Sequence, residues 1–423
     1  LVQQATHLHH QSRALLDQVV SVTRGGLQRL IHLADGRCRQ AVAFDRSVED
    51  RFQIMIVGLL VGMKRPASGR KRRKSPKLTV DAAALISRLN TDHFSNNGIG
   101  LPQLAPHPSA RVSAWLVSIA ASASGKTLDT FVAESPALSR LLGGIAEAAP
   151  CLWDRACSDA GRLLRLLRHD PGEHIHGLLA KARRGGASAR TAAALMRTLR
   201  QVKAEAALLI ALADIGAVWP VQRVTRALTD LADTALGAAV RYLLRDAAGK
   251  RRLEPADPRH PETGSGYMVL AMGKMGAFEL NYSSDIDLMV FFDPQALALA
   301  PETESAPFYV RLTRELVKLI QERTADGYVF RVDLRLRPDP SSTQIAISTP
   351  AALDYYESRG QNWERAALIK ARACAGDLAA GERLLHDLSP FVWRRYLDFA
   401  TVADVHEMKR QIHAYRGHGE IAV

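Results

Sequence analysis

The hydrophobic period of this chain changes after Asp257-Pro258 and the glycines Gly264 and Gly266, and that change decides what it can fold into. Between residues 110 and 245 apolar side chains recur at helical spacing. Leu163, Leu164, Leu166 and Leu167 are interleaved with Arg162, Arg165 and Arg168, and residues 204–217 are rich in Ala and Leu. Pro150, Pro171, Gly185-Gly186 and Pro220 punctuate this stretch into a bundle. Beyond the change, residues 267–271 and 285–292 are short apolar runs of strand type. Residues 308–324 return to a helical period, with Tyr309, Leu312, Leu316 and Leu319 on one stripe. A third strand is expected over residues 328–337 and a fourth over 345–348, after which the chain reads as mostly helical. The fold class that follows is α+β, mostly helical, with a sheet set between helical regions. Four regions are expected: an atypical N-terminal segment 1–95, a helical domain 96–250, a strand-bearing domain 251–350 and a C-terminal helical region 351–423.

Size and composition narrow the class further. A chain of 423 residues, 47% hydrophobic and 23% charged, can bury at least one sizeable core. The longest helical apolar stretch, 206–213, is flanked by Lys203, Glu205 and Asp214 and is far shorter than the roughly 20 residues that cross a bilayer. Residues 54–63 are also apolar, but their basic cluster follows them, the reverse of a secretory signal. Cys38, Cys151, Cys157 and Cys374 have neither disulfide-framework nor zinc-ligand spacing, so a reducing cytoplasm is the expected setting. His7, His9 and His10 lack a helical metal motif. The formal charge of +13 is concentrated in residues 64–77, which carry eight basic side chains and no acid. The remaining charge is ordinary for a protein that handles phosphates, and nucleic acid is not the expected partner.

The chemistry lies in the strands. Alternate residues of a strand share a face, so Asp285 and Asp287 project together while Ile286, Leu288 and Val290 face a core. In the third strand Arg331, Asp333, Arg335 and Arg337 share one face, and Val332, Leu334 and Leu336 share the other. Clustered carboxylates repel one another unless cations neutralise them. Magnesium (Mg2+) suits such a cluster, because it binds oxygen ligands and is commonly shared between carboxylates and substrate phosphates. Neighbouring arginines supply bidentate grips for phosphate oxygens. Gly273-Lys274-Met275-Gly276 has the permissive backbone to bring amide groups against a phosphate, with Lys274 adding a charge; a plain tight turn would read the same way.

The segment 270–276, Leu-Ala-Met-Gly-Lys-Met-Gly, and the segment 279–288, Glu-Leu-Asn-Tyr-Ser-Ser-Asp-Ile-Asp-Leu, resemble the bacterial glutamine synthetase adenylyltransferase and adenylyl-removing enzymes. So do Phe-Arg-Val-Asp-Leu-Arg-Leu-Arg-Pro at 330–338, Asp-Tyr-Tyr-Glu at 354–357, Trp-Glu-Arg at 363–365, Ile-Lys-Ala-Arg at 369–372 and Arg-Arg-Tyr-Leu-Asp at 394–398. The similarity runs from about residue 95 to the end. It implies a polymerase-beta-like nucleotidyltransferase sheet and, from the long helical leader, the adenylyl-removing half, which takes AMP off a tyrosine of glutamine synthetase with inorganic phosphate and releases ADP. The other half of such enzymes adds AMP from ATP, and a PII signalling protein with glutamine controls both. The resemblance implies Asp285, Asp287 and Asp333 as metal ligands and catalytic residues, with Gly273, Lys274, Ser284, Arg335, Arg337 and Lys370 about the nucleotide and phosphate. Lys370 has a second reading, as a charge on the exposed face of a helix that packs Trp363 and Ile369. The chain opens on Leu1, and the resemblance breaks off at Val423 ahead of a glycine-rich family segment, so a piece of a longer protein is expected.

Overall fold

In a computed structural model of the chain, residues 109–393 apart from residue 297 are described. The N-terminal region 1–95 with its basic run and histidines, and the residues from 394 onward, lie outside them. The described part opens with helices α1 (Ala110–Ile119), α2 (Ala123–Glu134), α3 (Pro136–Ala148), α4 (Pro150–Cys157) and α5 (Ala160–Arg168). Three longer helices follow, α6 (Pro171–Ser188), α7 (Ala192–Ile215) and α8 (Val221–Gly249).

Local chemistry explains where these helices start. Ser109, Ser122, Ser135, Asp159, Asp170 and Thr191 each accept a hydrogen bond from an amide of the first turn, and Pro136, Pro150 and Pro171 occupy first-turn positions where no amide is needed. In α5 the four leucines are buried between the arginines, as the spacing requires. Gly185 and Gly186, expected to break a helix, lie inside α6 instead. A Cβ on Gly186 would stand 2.4 Å from the Ala238 carbonyl oxygen, so this glycine lets α6 and α8 approach closely.

The sheet has a buried central strand, β1 (Tyr267–Ala271). It is flanked antiparallel by β2 (Ile286–Phe292) and β5 (Arg372–Gly376). Two short strands, β3 (Val332–Asp333) and β4 (Ile347–Ser348), run parallel to β2 along its other edge, β3 at its start and β4 at its end. Between β1 and β2 lies one helical turn, α9 (Gly273–Gly276). Between β2 and β3 lies α10 (Ser305–Gln321). Beyond β4 come α11 (Thr349–Ser358) and α12 (Asn362–Leu368), and after β5 come α13 (Leu378–Asp387) and α14 (Ser389–Val392).

Strand parity divides the core in two. Tyr267, Val269, Ala271, Ile286, Leu288, Val290 and Phe292 join one apolar core with the N-terminal helices and α10. Met268, Leu270, Met289 and Phe291 join a second core with Tyr356, Leu368, Leu384 and Phe391 of the C-terminal helices. The mixed sheet is thus covered by helices on both faces.

Two expectations are corrected here. The strand expected over 328–337 keeps only Val332 and Asp333, because the chain turns at once: the Arg335 amide donates to the Asp333 carboxylate at 2.8 Å, and Arg337 donates to the Leu334 carbonyl at 3.0 Å. The region beyond 350, expected to be mostly helical, is so among the described residues but also contributes the strand β5. Its Arg-Ala-Cys-Ala-Gly sequence has the alanines of a helix, but pairing with β1 overrides that preference. Gly376, at φ +81°, passes so close to the Tyr267 carbonyl that a Cβ would stand 2.0 Å from its oxygen.

Candidate active site

Asp285 and Asp287 stand at the start of β2, Asp287 with the parity of Met289 and Phe291. Across the parallel pair, Asp287 is the register partner of Asp333, and neighbouring strands run about 4.8 Å apart. Both carboxylates therefore rise from adjacent strands on one face. Gly273 lies two residues beyond the end of β1 at φ +54°, and a Cβ there would come within 3.1 Å of Asp287 Oδ2. A side chain at 273 would crowd the carboxylate, and glycine leaves that space open. Lys274 follows in α9. Gly276 fits because a Cβ would stand 2.1 Å from the Lys370 carbonyl oxygen, which fastens the turn against the chain entering β5.

The loop before β2 is an Asx-type turn. Asn281 Oδ1 accepts from the Ser283 amide at 3.2 Å, the Ser284 amide at 2.8 Å and the Ser284 hydroxyl at 2.6 Å. This brings Ser284 next to the carboxylates but commits its hydroxyl hydrogen to Asn281. Arginines meet two of the aspartates. Arg331 Nε donates to Asp285 Oδ1, its Nη2 to the Ser283 carbonyl at 2.7 Å and its Nη1 to the Tyr328 hydroxyl at 3.2 Å. Arg335 forks onto Asp333, with Nη2 to Oδ2 at 2.7 Å. Arg337 and Lys370, also named from the sequence, are engaged elsewhere. Arg337 donates to the carbonyls of Leu334, Pro340 and Thr343 and so closes its own loop, while Lys370 Nζ pairs with Glu279 at 2.8 Å. Of the helix that follows, Glu364 is buried and serves as a capping residue for Gln361, with the Tyr355 hydroxyl as a further donor.

Helix α7 holds this loop system from behind, which the sequence did not disclose. Arg200, Lys203 and Asp214 lie on one helical stripe, spaced by three and then eleven residues. Asp214 accepts from the Tyr282 hydroxyl at 2.9 Å, and burial together with the Asp214 charge pushes the Tyr282 pKa up. Lys203 lies 5.2 Å from the centre of the Tyr328 ring. Burial, reinforced by Arg155 and Arg331, lowers the Lys203 pKa. The one available signal was the helical spacing of Arg200, Lys203 and Asp214, three of the five charged residues of α7. Tyr282→Phe removes the tether to Asp214 and is expected to speed amide hydrogen exchange at Ser283 and Ser284 about tenfold, with global stability lowered by no more than about 1 kcal/mol. Exchange as slow as in the parent chain would show that the turn holds itself.

The donor set suits a hard divalent cation, since it consists of carboxylate oxygens carried by rigid strands. Asp287 and Asp333 already oppose each other. Among the described residues, however, no group of three His, Cys, Asp or Glu side chains is gathered about one point. Arginines pair with two of the three aspartates, Arg331 with Asp285 and Arg335 with Asp333.

A mixed sheet with helices on both faces, delivering an Asp-x-Asp pair and a third aspartate beneath a glycine turn, is a fold of nucleotidyltransferase type. The chain matches the model of the glutamate-ammonia ligase adenylyltransferase family over residues 126–387, and it belongs to that family. Similar proteins named bifunctional glutamine synthetase adenylyltransferase/adenylyl-removing enzyme occur in Bradyrhizobium sp. (strain ORS 278), 56% identical over 80% of this chain and 34% of the relative, and in Bradyrhizobium diazoefficiens, 56% identical over 75% and 32%. A third, from Xanthobacter autotrophicus, is 56% identical over 70% of this chain and 30% of its own length. The chain therefore spans about a third of the length of the curated relatives it matches. No helix among the described residues is long and apolar enough to cross a membrane.

Proposed function

We propose that this chain carries an adenylyl-removing centre, which takes AMP from a modified tyrosine of glutamine synthetase by phosphorolysis and releases ADP. The observation that supports it best is the pairing of Asp287 with Asp333 beneath Gly273, in a family whose relatives are named for adenylyl transfer and removal. The long helical leader ahead of the Asn281 to Leu288 stretch favours the removing direction. Control by a PII signalling protein and a cytoplasmic setting belong to the same reading.

Magnesium held by Asp285, Asp287 and Asp333 would neutralise charge on the phosphates and polarise the reacting phosphorus. The chain's own residues do the rest. The backbone of Gly273 and Lys274 approaches the phosphates, and Lys274 and Arg335 offset their charge, with Ser284 beside them. Arg337 acts at one remove, by closing the loop that follows Asp333. An oxygen of inorganic phosphate attacks the phosphorus of the tyrosyl-AMP, the bond from phosphorus to the phenolic oxygen breaks, and the phenolate, whose parent pKa is near 10, takes a proton from water. Positioning and charge compensation carry the catalysis, with no covalent enzyme intermediate.

The test is to incubate the 423-residue chain with adenylylated glutamine synthetase, magnesium and phosphate and to follow nucleotide release. Phosphate-dependent ADP is the expected product. AMP without phosphate dependence would mean hydrolysis, and pyrophosphate from ATP would mean the adenylylating direction. The arginine pairs on Asp285 and Asp333 favour one alternative, a module that docks glutamine synthetase or PII without turnover; it predicts binding but no product.

A further inference from the structure

The three arginines that follow one another near β3 are used differently. Arg337 spends its donors on backbone carbonyls and serves its own loop. Arg335 holds Asp333, whose carboxylate is only 6% exposed and also accepts the Arg335 amide, so that pair is fixed twice within two residues. Arg331 reaches across from outside the strand to Asp285, with its own side chain 51% exposed and Asp285 34% exposed. An exposed guanidinium can exchange partners with little desolvation cost, because water or another anion replaces what it leaves.

Its surroundings give that exchange a direction. Arg331 is bonded to the Tyr328 hydroxyl, and the other side of Tyr328 is taken by Lys203, whose pKa burial and the nearby Arg155 and Arg331 depress. The cations therefore repel one another, and Asp285 is the carboxylate that balances Arg331. In the metal-dependent reading Asp285 is the third ligand beside Asp287 and Asp333, and no such group of three is gathered among the described residues. When a cation takes Asp285, the positive charge of Arg331 loses its carboxylate partner while the side chain stays half exposed. A phosphate group answers that charge, with the bidentate geometry a guanidinium prefers.

We propose that Arg331 is a latch shared between two anions: it holds Asp285 while the acidic centre is without a divalent cation, and it passes to a substrate phosphate when the cation claims Asp285. The inference rests on the metal-dependent reading of the site given above. It makes Arg331 a competitor of the metal before substrate arrives and a phosphate ligand afterwards. Cation and phosphate then bind cooperatively, because each relieves the charge imbalance the other leaves.

The experiment titrates the full chain with Mn2+ in the absence of nucleotide, following the free ion by electron paramagnetic resonance, for the parent chain, Arg331→Gln, Arg331→Lys and Asp287→Asn. Removing a cation a few ångströms from a divalent ion is expected to tighten Mn2+ binding about tenfold in Arg331→Gln. Arg331→Lys, which keeps the charge and loses the fork, should shift it less than Arg331→Gln. The phosphate KM of Arg331→Gln should rise about tenfold at saturating metal. Mn2+ binding in Arg331→Gln that equals or falls below the parent overturns the latch while leaving the metal site standing. No Mn2+ binding sensitive to Asp287→Asn in the parent background overturns both the latch and the metal-dependent function. Circular dichroism of each variant separates misfolding from a true loss of binding, and Arg331→Lys carries the test should Arg331→Gln fail to fold.

Discussion

Asp287→Asn is expected to lower nucleotide release at least about 1000-fold while leaving the fold intact. The substitution is isosteric, so it opens no cavity and forces no rotamer. What it removes is one negative charge at the point where β2 and β3 set two carboxylates side by side. A neutral amide offers a metal one weak oxygen and cannot offset a divalent charge. Because the change is isosteric, stability should stay within about 1 kcal/mol of the parent. A coupled assay for ADP and a urea titration together check the statement. More than a tenth of parental turnover in a folded Asp287→Asn chain would sink the metal reading outright. Asp285→Asn is predicted to be less simple, since it releases Arg331 as well as removing a ligand.

The parts of this arrangement that could be read from the sequence are those set by period alone. Alternation in residues 285–292 places the aspartates opposite Ile286 and Leu288, and β2 has that parity. The Ala/Leu stretch of α7 and the leucines of α5 are buried as their spacing requires. Period failed where a short-range contact overrode it. Alternation alone continues past Asp333, but a turn closed by Arg335 and Arg337 ends the strand there. Gly185-Gly186 looks like a helix break until Ala238 of α8 is seen against it. The alanines of β5 look helical until β1 pairs with them. The partners of the carboxylates could not be read at all, because Arg331 reaches Asp285 over 46 positions and Tyr282 reaches Asp214 over 68. Such contacts depend on how β2 meets β3 and on how α7 meets the loop before β2, and no local pattern encodes that.

Arg200→Met is expected to destabilise the chain by about 3 to 5 kcal/mol, the largest effect foreseen for a residue outside the acidic cluster. Arg200 is 1% exposed, and its guanidinium donates to the carbonyls of Met196 at 3.1 Å, Leu319 at 3.0 Å and Gly327 at 2.8 Å, and also to that of Glu322. Leu319 and Glu322 lie at the end of α10, where helical carbonyls have no intrahelical donor. A side chain of α7 thus caps a helix distant in sequence and ties down the 324–327 turn that leads to Tyr328 and Arg331. Methionine fills much of the volume but offers no donor, so the buried carbonyls of Met196 and Leu319 lose their partner at about 1 to 3 kcal/mol each before relaxation, and the part-buried ones of Gly327 and Glu322 at less. Arg200→Lys retains the charge but cannot reach several carbonyls at once, and it should recover less than half of the loss. Urea unfolding measures the total, and limited proteolysis between residues 322 and 331 locates it. A loss below about 1 kcal/mol would mean that water replaces the guanidinium at no cost, and α7 would then not be the support on which the acidic centre rests.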